Sequence, residues 1–256
     1  MPYFVAEGIS KYYQQRPIIA GIHTAVERGE LVSLLGVSGV GKTTLFNVLS
    51  GLERPDSGSV CLDGQDITGI PGRVGYMQQK DLLLPFKTMG DNLALPLVLQ
   101  GKPKKEALER VREFLPVFGL DLPGFVNQYP SQLSGGMRQR AALLRSFLFT
   151  RSLMLLDEPF SALDAITKSA MHEWFIDIRH RLSLSTLLIT HDVDEAILLS
   201  QRIYIMAGKP GRITAEIVVP FSTEERLHPV RPDIIAMKLD LLDRLRSIAV
   251  PAADAP

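Results

Sequence analysis

Cysteine is almost absent from this sequence, which contains only Cys61. A single cysteine cannot form an internal disulfide, and its neighbours lack the spacing of a metal site. Cys61 lies in the segment SVCLDG, whose pattern favours a β-strand, and we expect it to be an inert small side chain there. Internal disulfides and a cysteine-based metal centre are therefore excluded.

A net charge is missing as well, because 28 basic residues balance 28 acidic ones. The chain therefore has no net field that attracts nucleic acid, and we expect no nucleic-acid partner. Of the 256 residues, 46% are hydrophobic and 22% are charged. That composition is typical of a globular protein with room for one large domain or two small ones.

Long apolar runs are also missing, since none approaches the roughly 18 residues that a membrane-spanning helix requires. The N-terminal MPYFVAEG lacks the basic leader and apolar stretch of a signal peptide. We therefore expect a cytoplasmic chain. If it acts at a membrane, another polypeptide must supply the membrane part.

Strand patterns dominate the first third of the chain. FVAEGISKYY and IHTAVERGELVSLLG are β-like, with RGE as a hairpin turn between strands. LVSLLG is nearly all apolar, which predicts a strand covered on both faces. SGSVCLDGQDI and RVGYMQQ predict further short strands.

The region from about Pro85 to Tyr129 changes character and favours a helical insertion. KPKKEALERVREFLPVFGL has apolar residues at helical spacing, namely Ala107, Leu108, Val111, Leu115 and Phe118. Further along, ITKSAMHEWFIDIRHRL predicts another helix. Its apolar residues recur every four positions and predict a core-facing side, made of Ile166, Ala170, Trp174 and Ile178.

Strands and helices alternate again in the last third. SLMLLDEP, STLLITHD, QRIYIMAG and RITAEIVVPF each fit a strand. This alternation predicts an α/β fold with a mostly parallel sheet between helices. The segment DVDEAILLS adds a helix that opens with a capping-box pattern from Asp192 to Glu195.

The tail DIIAMKLDLLDRLRSIAV has helical periodicity and both charge signs on its polar face. Docking on its own domain is therefore favoured over binding to a membrane surface, and PAADAP is expected to be a loose end. The predicted parts are an antiparallel β and P-loop part at 1–84, a helical part at 85–150, a second core part at 151–220 and a tail at 221–256.

A phosphate-binding loop is the strongest motif in the sequence. GVSGVGKTT fits the pattern G-x-x-x-x-G-K-[ST], with a strand before it and a helix after it. Its glycines let backbone N–H groups point at phosphate oxygens, the lysine adds a positive charge, and the first threonine can ligate Mg²⁺. The predicted nucleotide-binding residues are Gly36, Ser38, Gly39, Gly41, Lys42, Thr43 and Thr44.

Acidic residues follow the apolar strand LMLLDEP. Asp157 ends that strand at the carboxyl edge of the predicted sheet, where open α/β folds bind ligands. We expect Asp157 to hold Mg²⁺, through water, and Glu158 to orient or deprotonate the water that attacks the γ-phosphate. His191 follows another buried strand, and we favour a contact with the γ-phosphate over a purely structural role.

The ordered set GVSGVGKTT, GYMQQ, LSGGMRQR, LMLLDEP, SALD and THD resembles the ATP-binding subunit of ABC transporters. The resemblance covers about Tyr3 to Phe221. It implies a P-loop NTPase fold of the ABC type, an α/β nucleotide-binding domain with an antiparallel β subdomain and a helical subdomain. It also implies that ATP and Mg²⁺ are bound and that ATP is hydrolysed.

In this family two copies close head to tail around two ATP molecules, which implies a homodimer. The resemblance assigns LSGGMRQR to the signature motif, so that Ser134, Gly135 and Gly136 of one copy face the γ-phosphate held by the other. A bare helix N-terminus suits that task. Ser161 and Asp164 of SALD resemble the loop that crosses the dimer. Met137 departs from the family pattern, in which glutamine is common.

Two further positions carry over by resemblance, each with an alternative beside it. Tyr13 matches the aromatic residue that stacks on adenine, with Tyr12 as the alternative. Gln79 matches the glutamine that touches Mg²⁺ and the attacking water, and it is favoured over Gln78 by its spacing to Phe86. The segment after Gln79 resembles the surface that receives a coupling helix of the membrane subunit.

The absence of a coiled-coil insertion, a second cassette and fused membrane helices favours a bacterial importer subunit. KDLLLPFKTMGDNLALPL and AGKPGRITAEIVVPF resemble the nitrate, sulfonate, taurine and thiamine-precursor group. The implied partners are a separate permease and, indirectly, an extracytoplasmic solute-binding protein, which places the chain on the inner face of the membrane. The alternative is a soluble P-loop ATPase or phosphotransferase without a transport role.

Overall fold

The computed structural model describes residues 2–150, 153–228 and 230–249, so the expected loose end PAADAP lies outside the described residues. The strands are β1 Phe4–Tyr13, β2 Arg16–Val26, β3 Leu31–Gly36, β4 Ser57–Leu62, β5 Gln65–Asp66, β6 Gly75–Met77, β7 Leu153–Asp157, β8 Ser185–Thr190, β9 Arg202–Ala207 and β10 Arg212–Val218. The helices are α1 Lys42–Leu49, α2 Met89–Leu99, α3 Lys104–Phe114, α4 Gly135–Phe149, α5 Ala165–Leu182, α6 Val193–Leu199, α7 Thr223–Arg226 and α8 Pro232–Ala249.

The chain forms two compact units. Unit 1 comprises Met1–Pro71 and Ser185–Pro256, and unit 2 comprises Gly72–Leu184. The predicted part boundaries at 84, 150 and 220 stay predictions. Within the described ranges, the structure contains no helix that is both long enough and apolar enough to span a membrane.

An antiparallel sheet in unit 1 has the strand order β2-β1-β4-β5. β1 and β2 form its hairpin, which closes between Tyr13 and Arg16. Gln14 and Gln15 turn the chain there with positive φ angles of 50° and 64°. The hairpin of this region is therefore the Gln14-Gln15 turn.

The predicted hairpin turn at Arg28-Gly29-Glu30 is wrong. The strand after it, β3, pairs in parallel with β8 and β9 instead of with β2. All six residues of β3 are buried, which suits an interior strand of a parallel sheet. Residues 27–30 therefore connect two different sheets of unit 1. β10 extends the second sheet by pairing antiparallel with β9.

The C-terminal helix docks on its own unit, as expected. Ile234 and Leu241 of α8 are buried in an apolar cluster that includes Ala196 and Ile197 of α6. Lys238 also forms an ion pair of 2.7 Å with Asp194. Burial of apolar side chains is the stabilising contribution here, since ion pairs with exposed groups contribute only about 0–1 kcal/mol.

The predicted capping box of α6 is half right. Asp192 is the N-cap residue, and its carboxylate accepts the N–H groups of Asp194 and Glu195 at 2.9 and 3.2 Å. The N–H of Asp192, however, donates to the Thr190 hydroxyl at 3.0 Å. The Thr190 hydroxyl thus accepts the N-cap N–H, which the capping-box pattern had assigned to the Glu195 carboxylate.

Unit 2 pairs β6 with β7 in parallel and contains α2 to α5. The predicted helix from Lys104 is α3, with Ala107 and Val111 fully buried. α3 ends at Phe114, earlier than the apolar pattern suggested. Leu115 still has helical backbone angles, but Pro116 has no N–H group to continue the hydrogen bonds of the helix. The sequence reading missed α2, which begins after the N-cap residue Thr88.

The predicted core face of α5 is wrong in its first half. Ile166 and Ala170 are exposed, and Trp174 is only partly buried. The buried side instead contains Met171, His172, Phe175, Ile178 and Arg179. A step of four residues advances by about 40° beyond a full turn, so a series of such steps drifts from one face of the helix to another.

Candidate nucleotide site

The phosphate-binding loop of unit 1 joins β3 to α1. β3 ends at Gly36 and α1 begins at Lys42. Gly39 and Gly41 have φ angles of 78° and 103°, which glycine adopts at little cost. The N-cap residue Gly41 has no side chain that could occupy the first N–H groups of α1, and the first turn carries no acidic residue. This helix end therefore suits an anion.

Two of the loop glycines also lie against neighbouring strands. A Cβ on Gly36 would lie 2.6 Å from the Met206 carbonyl oxygen, and a Cβ on Gly41 would lie 2.7 Å from Ile19 Cγ2. Any larger side chain would therefore displace the loop from β2 or β9. Close packing explains the glycine at position 36, and close packing together with a positive φ explains the glycine at position 41.

Lys42 is buried inside the loop, with 7% of its surface exposed. Its Nζ atom donates to the carbonyl oxygens of Gly36 and Val37 at 2.8 and 3.1 Å. The loop backbone thus holds the ammonium group in place. Ser38, Gly39 and Thr43 are exposed beside it, and Thr44 is partly buried.

Tyr13 lies at the end of β1 and is tied to the start of α1. Its hydroxyl donates to the Glu53 carboxylate, and Thr44 forms a further hydrogen bond with it. Burial, and then Glu53, raise the pKa of the Tyr13 hydroxyl. The Tyr12 backbone N–H donates to Asp56 at 2.7 Å. Both aromatic rings are more than one third exposed, at 42% and 45%.

His191 follows β8 and is exposed, directly before the N-cap residue of α6. β8 runs parallel to β3, with Leu35 opposite Thr190. The carboxyl ends of both strands therefore meet at one edge of the unit 1 sheet, and His191 shares that edge with the phosphate-binding loop.

Asp157 ends β7 in unit 2 and is 6% exposed. Tyr76 of the neighbouring strand β6 is hydrogen-bonded to it. Burial, and then the Asp157 charge, raise the pKa of the Tyr76 hydroxyl, which therefore stays protonated as a donor at neutral pH. The sequence reading missed Tyr76, although it stands inside the GYMQQ motif.

Glu158 directly follows β7 in a left-handed backbone conformation with a φ of 48°. Such a conformation costs a non-glycine residue about 1–3 kcal/mol. The Ser161 hydroxyl donates to the Glu158 carbonyl at 2.9 Å, which stabilises the turn. The Glu158 carboxylate accepts a hydrogen bond of 3.1 Å from the Gln79 amide. Unit 2 thus brings together a carboxylate and an amide that the sequence assigned to the same water.

The helix N-terminus of the LSGGMRQR segment starts α4 in unit 2. Ser134 is its N-cap residue and accepts the Met137 N–H at 3.3 Å. Gly136 is buried, and a Cβ there would lie 3.3 Å from Thr167 Cγ2. A Cβ on Gly135 would lie 3.2 Å from Leu163 Cδ2. The two glycines therefore also allow close packing against the segment that starts α5, a role that the sequence reading missed.

Asp164 is the N-cap residue of α5, and its carboxylate accepts the Thr167 N–H at 3.1 Å. Hydrogen bonds from the Thr167 side chain and backbone lower the pKa of Asp164. The carboxylate is thus charged at neutral pH and exposed. Asp164 therefore caps α5 within its own chain, and a contact with a second copy would be additional to this role.

The metal ligands that the sequence suggests fit a cation that arrives with its substrate. Across the described ranges, no three His, Cys, Asp or Glu residues cluster as a metal site. Mg²⁺ is usually held by one or two carboxylates together with substrate phosphates and water. In unit 2, Asp157 is held by Tyr76 and offers one such carboxylate, and Gln79 offers an amide oxygen. In unit 1, Thr43 offers a hydroxyl oxygen.

Comparison with known proteins identifies the family of the chain. The model of the ABC transporter family matches residues 19–161, which is more than half of the chain. The chain belongs to the ABC transporter family. The resemblance that the ordered motifs predicted is therefore confirmed, and the chain is an ABC-type ATPase.

Curated relatives carry names from the predicted importer group. A formylaminopyrimidine import ATP-binding protein of Halalkalibacterium halodurans is 44% identical, covering 82% of this chain and 81% of the relative. A nitrate import ATP-binding protein of Synechocystis is 42% identical over 81% and 77%. An aliphatic sulfonates import ATP-binding protein of Bacillus cereus is 36% identical over 90% and 93%.

Solved structures confirm the fold class of this ABC ATPase. The dimeric cassette MJ0796 bound to ADP and Pi has a TM-score of 0.72 at 26% identity, covering 86% of this chain and all of that chain. The ADP conformation of the cassette MJ1267 has a TM-score of 0.75 at 20% identity, covering 93% and 99%, and bears on the fold alone. A phosphotransferase outside this family is not favoured.

Proposed function

We propose that this ABC ATPase is the ATP-hydrolysing subunit of a bacterial importer for a small solute of the nitrate, sulfonate, taurine or thiamine-precursor type. The observation that carries the proposal is the 44% identity to an import ATP-binding protein over 82% of the chain. The solute itself is selected by other subunits, so the relatives' names indicate a group and not a single compound.

Each unit contributes its own residues to ATP. In unit 1, the phosphates are bound by Lys42 and by backbone N–H groups of the phosphate-binding loop. The residues of this loop that contact the nucleotide are Gly36, Ser38, Gly39, Gly41, Thr43 and Thr44. Tyr13 stacks on adenine. His191 donates to a γ-phosphate oxygen. Thr43, Gln79 and Asp157 would hold Mg²⁺, which would neutralise phosphate charge when it is bound.

Glu158 is the base in this proposal. Its carboxylate orients the attacking water and accepts a proton from it, and Gln79 holds both the carboxylate and the water in line with the γ-phosphate. The 3.1 Å hydrogen bond between the two side chains supports this pairing. Tyr76 supports this pairing indirectly, because its hydrogen bond fixes Asp157 at the end of the strand that Glu158 follows.

A second copy of the chain completes the site. Ser134, Gly135 and Gly136 of that copy present the N-terminus of α4 to the γ-phosphate, and Ser161 and Asp164 contact the opposite site. The first turn of α4 carries no acidic residue, which suits a phosphate. The cassette MJ0796 is dimeric when it is bound to ADP and Pi, which supports a pair of copies for this chain.

The permease contacts the segment between Gln79 and Phe86. Phe86 is 73% exposed and Leu82 is 50% exposed, so this segment offers apolar side chains to a partner. Binding there keeps the chain on the inner face of the membrane. A solute-binding protein outside the membrane completes the system and acts on this chain only through the permease.

The test is ATP hydrolysis by the chain assembled with the proposed permease subunits. The proposal predicts that solute-loaded binding protein stimulates hydrolysis and that solute accumulates inside proteoliposomes. A chain whose hydrolysis ignores the permease, or that transfers phosphate to a small acceptor, would contradict the proposal and support the soluble alternative.

A further inference from the structure

The loop after Gln79 is held by two helices of unit 2 although it exposes apolar side chains. We define the contact loop as residues 81–88. Asn92 of α2 is fully buried, accepts the Leu84 N–H at 2.7 Å, and donates to the carbonyl oxygens of Leu84, Lys87 and Thr88 at 3.0–3.1 Å. The second half of the contact loop is therefore fixed to α2.

Arg145 of α4 fixes the first half of the contact loop. Its Nη1 atom donates to the Leu82 carbonyl at 2.8 Å, and its Nη2 atom donates to the Asp81 carbonyl at 2.6 Å. Leu82 adopts a positive φ of 47°, which brings the two consecutive carbonyls to one guanidinium. The planar fork of arginine suits such paired acceptors, whereas a lysine ammonium is a point charge.

The helix that carries Arg145 also carries the predicted γ-phosphate contact. α4 begins after the N-cap residue Ser134 and continues unbroken through Arg145 to Phe149. A helix is a stiff element, so a displacement at Arg145 moves the Ser134 end as well. The contact loop and the helix N-terminus are therefore joined through a single helix and two hydrogen bonds.

A second arginine of α4 provides an internal comparison. Arg138 forms an ion pair of 3.3 Å with the Asp81 carboxylate, and both side chains are partly exposed. An exposed pair at that distance is a weak attachment. The two hydrogen bonds from Arg145 to backbone carbonyls are shorter, and Arg145 is partly buried.

We propose that Arg145 is a positioning residue that transmits displacement of the contact loop to α4 and thereby links permease contact to closure of the ATP site. This inference rests on the proposed function for its permease half. The permease contacts Leu82 and Phe86 and displaces the contact loop. Because Arg145 is hydrogen-bonded to the carbonyls of residues 81 and 82, α4 moves with the loop. The Ser134 end of α4 then moves towards the nucleotide of the partner copy.

The first arm of the test uses the full chain alone and measures amide hydrogen exchange. Arg145→Met removes both donors, and exchange in a peptide covering 81–88 is expected to rise by about tenfold because local opening becomes easier. Asp81→Asn is the matched control. It removes the Arg138 ion pair and the attraction between the Asp81 charge and Arg145. It keeps both Arg145 hydrogen bonds and the oxygen that accepts the Leu83 N–H, and is expected to change exchange much less than Arg145→Met does.

The second arm measures the ratio of permease-stimulated to basal ATP hydrolysis. Arg145→Met is expected to keep basal hydrolysis and to lose at least about fivefold of the stimulation, within the range of typical coupling energies. Arg145→Lys, which keeps the charge but not the fork, is expected to give an intermediate ratio, and it replaces the methionine variant if that fails to fold. Asp81→Asn should match the wild type.

The outcomes separate the inference from the proposed function. An unchanged stimulation ratio in both Arg145 variants, with a stimulated wild type, overturns the coupling role of Arg145 alone. A wild type that the permease does not stimulate contradicts the proposed function and the coupling role together. Unchanged exchange at 81–88 in Arg145→Met shows that Arg145 does not hold the contact loop, and that result also overturns the inference.

Discussion

The Gln79 amide donates a hydrogen bond of 3.1 Å to the Glu158 carboxylate. The two residues follow β6 and β7, which run parallel with Met77 opposite Leu156. Each side chain therefore emerges just beyond the end of its strand, on the same edge of the pair. In an ABC ATPase this places an amide donor beside the group that we assign as the base for the attacking water.

Replacement of the base tests the role of Glu158. In Glu158→Gln the side chain keeps its shape and loses its ability to accept a proton. We expect ATP binding to persist and turnover to fall by at least about 100-fold, since general-base catalysis contributes on that order. Single-turnover hydrolysis of labelled ATP measures this. Glu173→Gln, at an exposed position of α5, is the control, and wild-type turnover in Glu158→Gln would refute the assignment.

Two adjacent glutamines separate a specific contact from a general loss of polarity. We expect Gln79→Ala to lower kcat by about tenfold with little change in ATP affinity, because it removes a group that acts in the hydrolysis step. Gln78→Ala should be close to wild type. Steady-state kinetics with a parallel nucleotide-binding measurement decides between them. The reverse pattern would move the role to Gln78.

The buried ammonium of Lys42 has a binding role and a structural one. We expect Lys42→Ala to weaken ATP binding by at least about tenfold, or 1.4 kcal/mol. It should also cost about 1 kcal/mol of stability, because the carbonyls of Gly36 and Val37 lose a donor. Calorimetric titration and thermal unfolding measure the two effects. Lys105→Ala is the exposed control, and unchanged affinity in Lys42→Ala would mean that the cradle lies elsewhere.

The adenine contact is tested by substitutions of two neighbouring tyrosines. Stacking on a base is worth about 1–3 kcal/mol, so Tyr13→Ala should weaken ATP binding by about fivefold or more. Tyr13→Phe keeps the ring, loses only the hydrogen bonds of the hydroxyl, and should bind ATP nearly as well as the wild type. Fluorescence titration with a labelled nucleotide gives these affinities. If Tyr12→Ala is the weaker binder, the stacking role belongs to Tyr12.

Local motifs predicted the strand, loop and helix around Lys42 better than periodicity predicted the packing. The fully apolar pattern of β3 and the glycines after it indicate a strand, a loop and a helix, because each residue type there has one dominant local preference. The face of α5 was misread because Ile166 and Ala170 fit an apolar series that the helix rotates away from the core. The RGE turn was misread because a turn pattern does not reveal which strand is the partner.

Contacts between distant segments could not be predicted. Tyr76 is bonded to Asp157, and Arg145 is bonded to the carbonyls of residues 81 and 82, across separations that no periodic pattern records. The packing role of Gly136 depends on Thr167 lying 3.3 Å from its Cβ position. Such contacts arise from the tertiary fold, which the sequence indicated only as a class.

The central claim is that ATP is bound between two copies of this ABC ATPase, and the mass of Glu158→Gln in solution tests it most directly. With saturating Mg²⁺-ATP, light scattering should give twice the chain mass of 28.3 kDa with one ATP per chain. Adding Ser134→Arg should return the single-chain mass while ATP stays bound to the loop at Lys42. Two results together would contradict the account. The first is a Glu158→Gln chain that stays at 28.3 kDa with ATP fully bound. The second is a wild type whose rate of ATP hydrolysis per chain does not depend on the protein concentration.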